Sequence, residues 1–404
     1  QQFVQKDGGT LMQDQLKLLA GQKDGDTSVR HMAGALLRIH AFFAAGTPVD
    51  AFFPFLRSNV LMIYVAAEGL EDAFHLFTVM NNRGIKLRNS DILKAQNLKA
   101  LPKADRAAQA KRWEATENHF GEEFDVFLSH IRTILVKQKA SVNLLQEYEE
   151  NVYHPREFDR STQTYHPKPP LLTKGKATFD FIDRHYRHYL ALFDQDHFSV
   201  AQSYEIDNQL TLMRLGLEAE HWIAPLLAFY DRHGNQRLME FLRLLDNKVS
   251  ADWMAALTPT DRVQNANAII QTIESISDLN TLFADPVFQF HATSLRSVFD
   301  GEVYGRRFAR YLLLKLDLLS HGHTTRFQPP PTLSIEHILP QTPDVQSQWR
   351  KDFTDPQREE WTDKLGNLIF LSRRKNSAQG NLDFTLKKEK YFKSNIELFS
   401  HSVR

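Results

Sequence analysis

The chain has 404 residues, 42% of them hydrophobic and 29 of them Phe, enough apolar side chain to build folded cores and to exclude wholesale disorder. Its 49 Lys and Arg balance 49 Asp and Glu, which excludes a uniformly basic nucleic-acid-binding coat and leaves local patches open. With no cysteine, it excludes disulfides, thiolate zinc sites, iron–sulfur clusters and thiol nucleophiles, so any metal must be held by His, Asn, Asp or Glu.

At roughly 100–200 residues per domain, the length predicts two or three domains. Residues 11–46 show apolar residues at helical spacing, in LMQDQLKLLAG and HMAGALLRIHAFFA. The run VLMIYVA at 60–66, rich in β-branched and aromatic residues, predicts a strand. An amphipathic helix follows in LEDAFHLFTVM, then a turn at Asn82-Arg83-Gly84, then a helix starting near Asn89 with Asn89 or Ser90 as its N-cap. From 104 to 320 the periodicity is almost wholly helical, including YGRRFARYLLLKLDLL at its end. Residues 153–175 break it as an expected exposed loop. The prolines of SHGHTTRFQPPPTLS mark a linker or domain edge. Beyond them, LSIEHIL and LGNLIFLS predict two short strands, and the basic segment RRKNSAQGNLDFTLKKEKYF predicts a helix. The expected architecture is mainly α: a partial α/β domain at 1–103, an all-α region at 104–320 and a ββα C-terminal domain at 321–404. No segment approaches the ~18 apolar residues of a membrane span. The first residues carry no basic and then apolar leader pattern, so the expectation is a cytoplasmic protein without a membrane partner.

Charge is concentrated where the chemistry-bearing residues fall. Residues 371–394 hold seven Lys and Arg against two acidic residues, a net +5, so the rest of the chain carries −5. Beside them lie Glu336-His337 followed by Pro340, then Gly366-Asn367, Asn376 and Lys387. Phosphodiester hydrolysis needs a base for the attacking water and a cation for the charge that develops on phosphate oxygens. His337 has the right acid–base range for the first task, and Glu336 and Asn376 offer oxygen ligands for the second. Neighbours on a strand face opposite ways, so Glu336 and His337 share a site only if the strand bends or ends there, as Pro340 would allow. Basic residues so placed would neutralise backbone phosphates.

The pattern EHILP…LGNL…N…F..K resembles the HNH (His-Me finger, ββα-metal) nucleases, in the form found at the C-terminus of GmrSD-type modification-dependent restriction endonucleases. The resemblance implies His337 as the base, Glu336 and Asn376 as metal ligands, and Asn367 as the brace of the loop that carries the histidine. It implies Lys387 as a phosphate contact, supported by Arg373, Arg374 and Lys375; Asn381 competes with Asn376 for the ligand role. A second stretch, Ala73-Phe74…Phe77…Asn82-Arg83-Gly84…Leu87…Asp91-Ile92-Leu93-Lys94, resembles the closing segment of the family's ParB/sulfiredoxin-like N-terminal sensor domain. Within it, Asn82-Arg83-Gly84 reads either as a helix-terminating turn or, through Arg83, as an anion contact. The family's Asp-Gly-Gln-Gln-Arg-type nucleotide motif does not occur, and Gln1-Gln2-Phe3 is no substitute, so a nucleotide requirement stays open.

The implied activity is divalent-metal-dependent cleavage of modified or foreign double-stranded DNA, with Mg²⁺ or Mn²⁺ favoured and Zn²⁺ allowed, and with dimerisation for double-strand cuts left open. The alternative is a DNA- or nucleotide-sensing regulator whose nuclease fold serves only for binding. His185 and His188, three apart on an expected helix, read as a wet helical face rather than a chelate, and His321 and His323 as linker residues.

Overall fold

The computed structural model describes residues 9–21, 27–46, 48–61, 88–193, 198, 203–330, 332–372 and 380–392. It is mainly helical, as the periodicity predicts. The chain divides into two compact units, Gln1–Asp125 and Val126–Arg404.

In the first unit, α1 (Gly9–Gly21) packs on α2 (Thr27–Ala44), and α3 (Val49–Asn59) follows. The expected strand at 60–66, apart from Val60 and Leu61, and the motif carrying Asn82 and Arg83 lie outside the described residues. Next come α4 (Asn89–Lys99) and α5 (Lys103–Phe120), which pack together with Leu93, Leu101 and Trp113 buried. The N-cap of α4 is Arg88, not Asn89 or Ser90. The reason is a carboxylate from elsewhere: Asp125 accepts from the Ser90 N–H at 3.2 Å and from the Asn89 amide at 3.1 Å, which places a negative charge at the helix N-terminus and frees both residues from capping.

The helix α6 (Phe124–Val136) leads into α7 (Leu144–Glu147) and one π turn over Tyr148–Tyr153. Here Arg132 and Glu147, both buried, pair through the Arg132 Nε at 2.8 Å. The same carboxylate accepts from the Ser141 and Val142 N–H groups and the Asn151 amide. Burial alone would push the Glu147 carboxyl up, and these donors outweigh it, so the group sits below the usual carboxylate range.

Residues 153–175 are not an irregular loop. They contain an antiparallel hairpin of β1 (Arg156–Asp159) and β2 (Thr164–Pro167), with Phe158 opposite Tyr165 and their rings 5.0 Å apart. Asp159 closes the turn by accepting from the Ser161 N–H and hydroxyl at 2.8 and 2.6 Å. Both strands are largely exposed, so neither carries the apolar alternation that a buried face imposes.

A helical core follows: α8 (Lys176–Phe193), α9 (Glu205–Gly216), α10 (Ile223–His233), α11 (Leu238–Met254), α12 (Pro259–Ser275), α13 (Leu279–Phe283), α14 (Ala292–Asp300) and α15 (Ala309–His321). Phe229 and Phe241 stack at 3.9 Å in its centre. The last helix starts at Ala309, later than the YGRRFARY pattern predicts, because Gly305 (φ +76°) turns the chain and leaves residues 301–308 as a loop.

The segment after α15 stays attached to α9. The buried Asn208 donates to the Thr325 carbonyl at 3.0 Å and accepts from the Phe327 N–H at 2.7 Å, one side-chain amide completing two backbone groups. Then β3 (Leu333–His337) pairs antiparallel with β4 (Leu368–Ser372), His337 opposite Leu368 and Glu336 opposite Ile369. Two short helices, α16 (Gln348–Asp352) and α17 (Asp355–Trp361), lie between the strands, and α18 (Phe384–Phe392) follows them. Alternation along β4 explains where this sheet sits. Leu368 and Phe370 join Tyr311, Leu312, Leu314 and Leu318 of α15 in one core, with Leu333 and Ile335 packed against it. Ile369 and Leu371 face the other way, against Ile338.

Candidate active site

The site forms where β3 ends. His337 is the last residue of the strand and is 8% exposed; Glu336 is 7% exposed. Strand alternation separates their side chains, and each finds its own partners. His337 shares its face with Ile335, the face toward α15. Its Nε2 lies 2.9 Å from Oδ1 of Asp363, and its ring meets that of Tyr304 edge to face with centroids 4.2 Å apart. Glu336 points to the other face, where Lys387 of α18 donates to its Oε1 at 2.8 Å.

Asn367 clamps the backbone that leaves the strand. Its Oδ1 accepts from the Leu339 N–H at 2.7 Å, and its Nδ2 donates to the Leu339 and Thr362 carbonyls at 2.9 and 2.7 Å. Its own carbonyl accepts from the Ile338 N–H at 2.9 Å. Its side-chain amide and its own carbonyl together hold the two residues after His337.

Lys387 is fully buried, and its ammonium donates to both the Glu336 carboxylate and the His337 carbonyl, the latter at 2.7 Å. A phosphate contact would require it to leave two charged or polar partners in a site closed to solvent. Its place in this structure is beneath the strand end, tying together the two residues whose side chains diverge. The helix that carries it is anchored in turn: Trp349 donates to the Leu382 carbonyl at 3.0 Å, and Asp383 accepts from the Gln348 N–H at 2.9 Å.

Of the remaining expected residues, Arg373, Arg374, Lys375 and Asn376 lie outside the described residues. Asn381 is exposed in the turn before α18. Among the described residues no group of three or more His, Asp or Glu side chains is arranged to hold a metal ion. Glu336 is a hard oxygen donor of the right chemistry, and among the described residues only Lys387 donates to it. It can contribute to a divalent site and does not complete one with the described residues.

Two residues of the site carry no mark in the sequence. Asp363 is an acidic residue in a turn, and Tyr304 falls in a stretch whose periodicity reads as helix. The structure joins them: the Asp363 carbonyl accepts from the Val303 and Tyr304 N–H groups at 2.8 and 3.1 Å, and a β-bridge pairs Glu302 with Lys364.

Among the described residues, the other histidines form no metal cluster. His185 is fully buried, its Nδ1 2.9 Å from the Phe181 carbonyl, and burial pushes its ring down to about 4. This corrects the wet-face expectation: Phe179, Ile182 and His185 lie on one buried stripe of α8. His188 pairs with Asp231 at 2.8 Å and His321 with Thr325 at 2.9 Å.

Residues 295–400 match the family of GmrSD restriction endonucleases, C-terminal domain. No curated protein matches the chain. The matched stretch contains Tyr304, Glu336, His337, Asp363, Asn367 and Lys387.

Proposed function

We propose, from the premise that residues 295–400 belong to the C-terminal domain of the GmrSD restriction endonucleases, that this chain is an HNH-type, divalent-metal-dependent endonuclease acting on modified or foreign double-stranded DNA. The observation that carries the reading is His337 at the end of β3, with its ring held by Asp363 and Tyr304 and the following backbone clamped by Asn367. In the reaction, His337 takes a proton from water as the new oxygen–phosphorus bond forms. The bond from phosphorus to the leaving sugar oxygen breaks, and that oxygen takes a proton from solvent. Glu336 and Asn376 would hold the divalent ion, which supplies charge neutralisation at the phosphate oxygens. Arg373, Arg374 and Lys375, together with the exposed Lys388, would add salt-dependent affinity for the DNA backbone.

The test is cleavage of modified and unmodified plasmid DNA across Mg²⁺, Mn²⁺ and Zn²⁺, with and without nucleotides. Metal-dependent cutting is expected, and His337→Ala should lower its rate by about 10²-fold or more while DNA binding persists. Full activity in that variant refutes the reading. Binding without cutting under every condition supports instead a sensing role for the same fold, which the engagement of Glu336 by Lys387 favours.

A further inference from the structure

The His337 base of the proposed reaction is held by a group that neither the motif nor the family match assigns. We propose that Asp363 is its positioning residue: the carboxylate keeps the imidazole in the tautomer protonated at Nε2, so that Nδ1 carries the lone pair that accepts the proton from water. This deepens the nuclease reading and rests on it for its catalytic meaning; the hydrogen bond itself does not.

The argument is one of donors and acceptors. A carboxylate can only accept, so the 2.9 Å approach of Nε2 to Asp363 Oδ1 places the proton on Nε2. The same oxygen accepts from the Gln341 amide at 3.2 Å, which leaves it an acceptor toward the ring. Asp363 is itself fixed from behind, because its carbonyl receives the Val303 and Tyr304 N–H groups. Tyr304 then closes on the imidazole with ring centroids 4.2 Å apart, restricting its rotation. Three segments distant in sequence thus converge on one ring: the loop before α15, the end of β3 and the turn before β4. With Nε2 occupied, Nδ1 is the ring nitrogen left for the water.

Asp363→Asn separates positioning from mere support. The backbone bonds to Val303 and Tyr304 persist in this variant, but an amide can donate to Nε2 and so stabilise the opposite tautomer. The full chain is labelled with ¹⁵N-histidine, and the His337 ring signals are identified by their loss in His337→Gln. Spectra are taken across a pH series, and the tautomer is read on the alkaline plateau where the ring signals no longer change with pH. The wild type should show Nε2–H, and Asp363→Asn should shift His337 toward Nδ1–H. In plasmid cleavage, kcat should fall by about 10²-fold or more with KM changed less than about threefold. Asp363→Glu, which keeps an acceptor-only group, should recover part of the loss. An Nδ1–H wild type, or an Asp363→Asn variant with unchanged tautomer and kcat, overturns the proposal. If the wild type cuts nothing, the nuclease reading fails, and the ring tautomer still decides the Asp363 assignment in either direction.

Discussion

Replacing Lys387 with Met tests whether the strand end is built around a buried cation. The side chain is fully buried, and its ammonium is shared between a carboxylate that is itself nearly buried and a main-chain carbonyl. Met keeps the length and the apolar stem and deletes the charge, leaving Glu336 without its partner. Removing one member of a buried ion pair costs about 3–5 kcal/mol, because the remaining charge must be protonated or rehydrated. At roughly 2–4 °C per kcal/mol for a unit of this size, thermal unfolding should fall by at least about 6 °C. The double variant Lys387→Met/Glu336→Gln should recover part of that loss, since the amide carries no uncompensated charge. A surface lysine that merely contacts phosphate would behave differently: its loss should change stability by no more than about 0.5 kcal/mol. Calorimetric unfolding of the wild type and the three variants, including Glu336→Gln alone, therefore decides between the two roles. A Lys387→Met protein that melts within about 1 °C of the wild type refutes the buried-cation account.

Other consequences are as direct. Asn367→Ala strands the Leu339 N–H and removes two further bonds, so a loss of about 2 kcal/mol or more is expected by denaturant titration, with lower cleavage. Asn367→Asp retains only the acceptor and should be intermediate in stability. Arg132→Met uncovers the buried Glu147 carboxylate and should destabilise by about 3 kcal/mol in the same titration; a near-neutral result would show that the backbone donors of Ser141 and Val142 suffice alone. His185, with its ring near 4 in the fold against an ordinary 6.5, resists protonation only while folded. Its contribution is complete above about pH 6.5 and drains away as pH falls toward 4, a loss of about 3 kcal/mol. The difference in unfolding free energy between pH 7 and pH 4.5 should shrink in His185→Leu, and an identical difference in both proteins would remove His185 as its source.

Much of the site was legible because its parts obey local rules. The apolar runs at LSIEHIL and LGNLIFLS became β3 and β4, and FTLKKEKYF became α18. His337 and Asn367 could be paired through the motif, and the structure places the Asn367 amide on the backbone just past the histidine. What escaped depends on contacts between distant segments. Asp363 reaches His337 across 26 residues of chain, and nothing local distinguishes it from other acidic turn residues. Lys387 sits in a run of charges that reads as a solvated helix, and a lysine is almost never fully buried unless paired. The hairpin at 156–167 escaped because its exposed strands lack an apolar face, so no period-2 pattern was there to read. For His185 a signal existed, since Phe179, Ile182 and His185 recur at helical spacing.

The burial of Lys387 also changes what the local charge means. The net +5 of residues 371–394 counts an ammonium that spends its charge inside the protein, on Glu336. As a surface quantity for attracting phosphate, the segment is therefore weaker by one unit, and the compensating negative charge comes from the strand that carries the catalytic candidate. Substituting Lys388, which is exposed on the same helix, should weaken DNA binding and reduce its salt dependence by about one phosphate contact while leaving stability within about 0.5 kcal/mol. Substituting Lys387 should do the opposite, lowering stability first and affecting DNA only through the displaced strand end. On the proposed nuclease reading, the two adjacent lysines would divide between holding the site together and meeting DNA, and a salt titration of DNA binding beside a melting curve separates them. Equal effects of the two substitutions on both measurements would contradict this division.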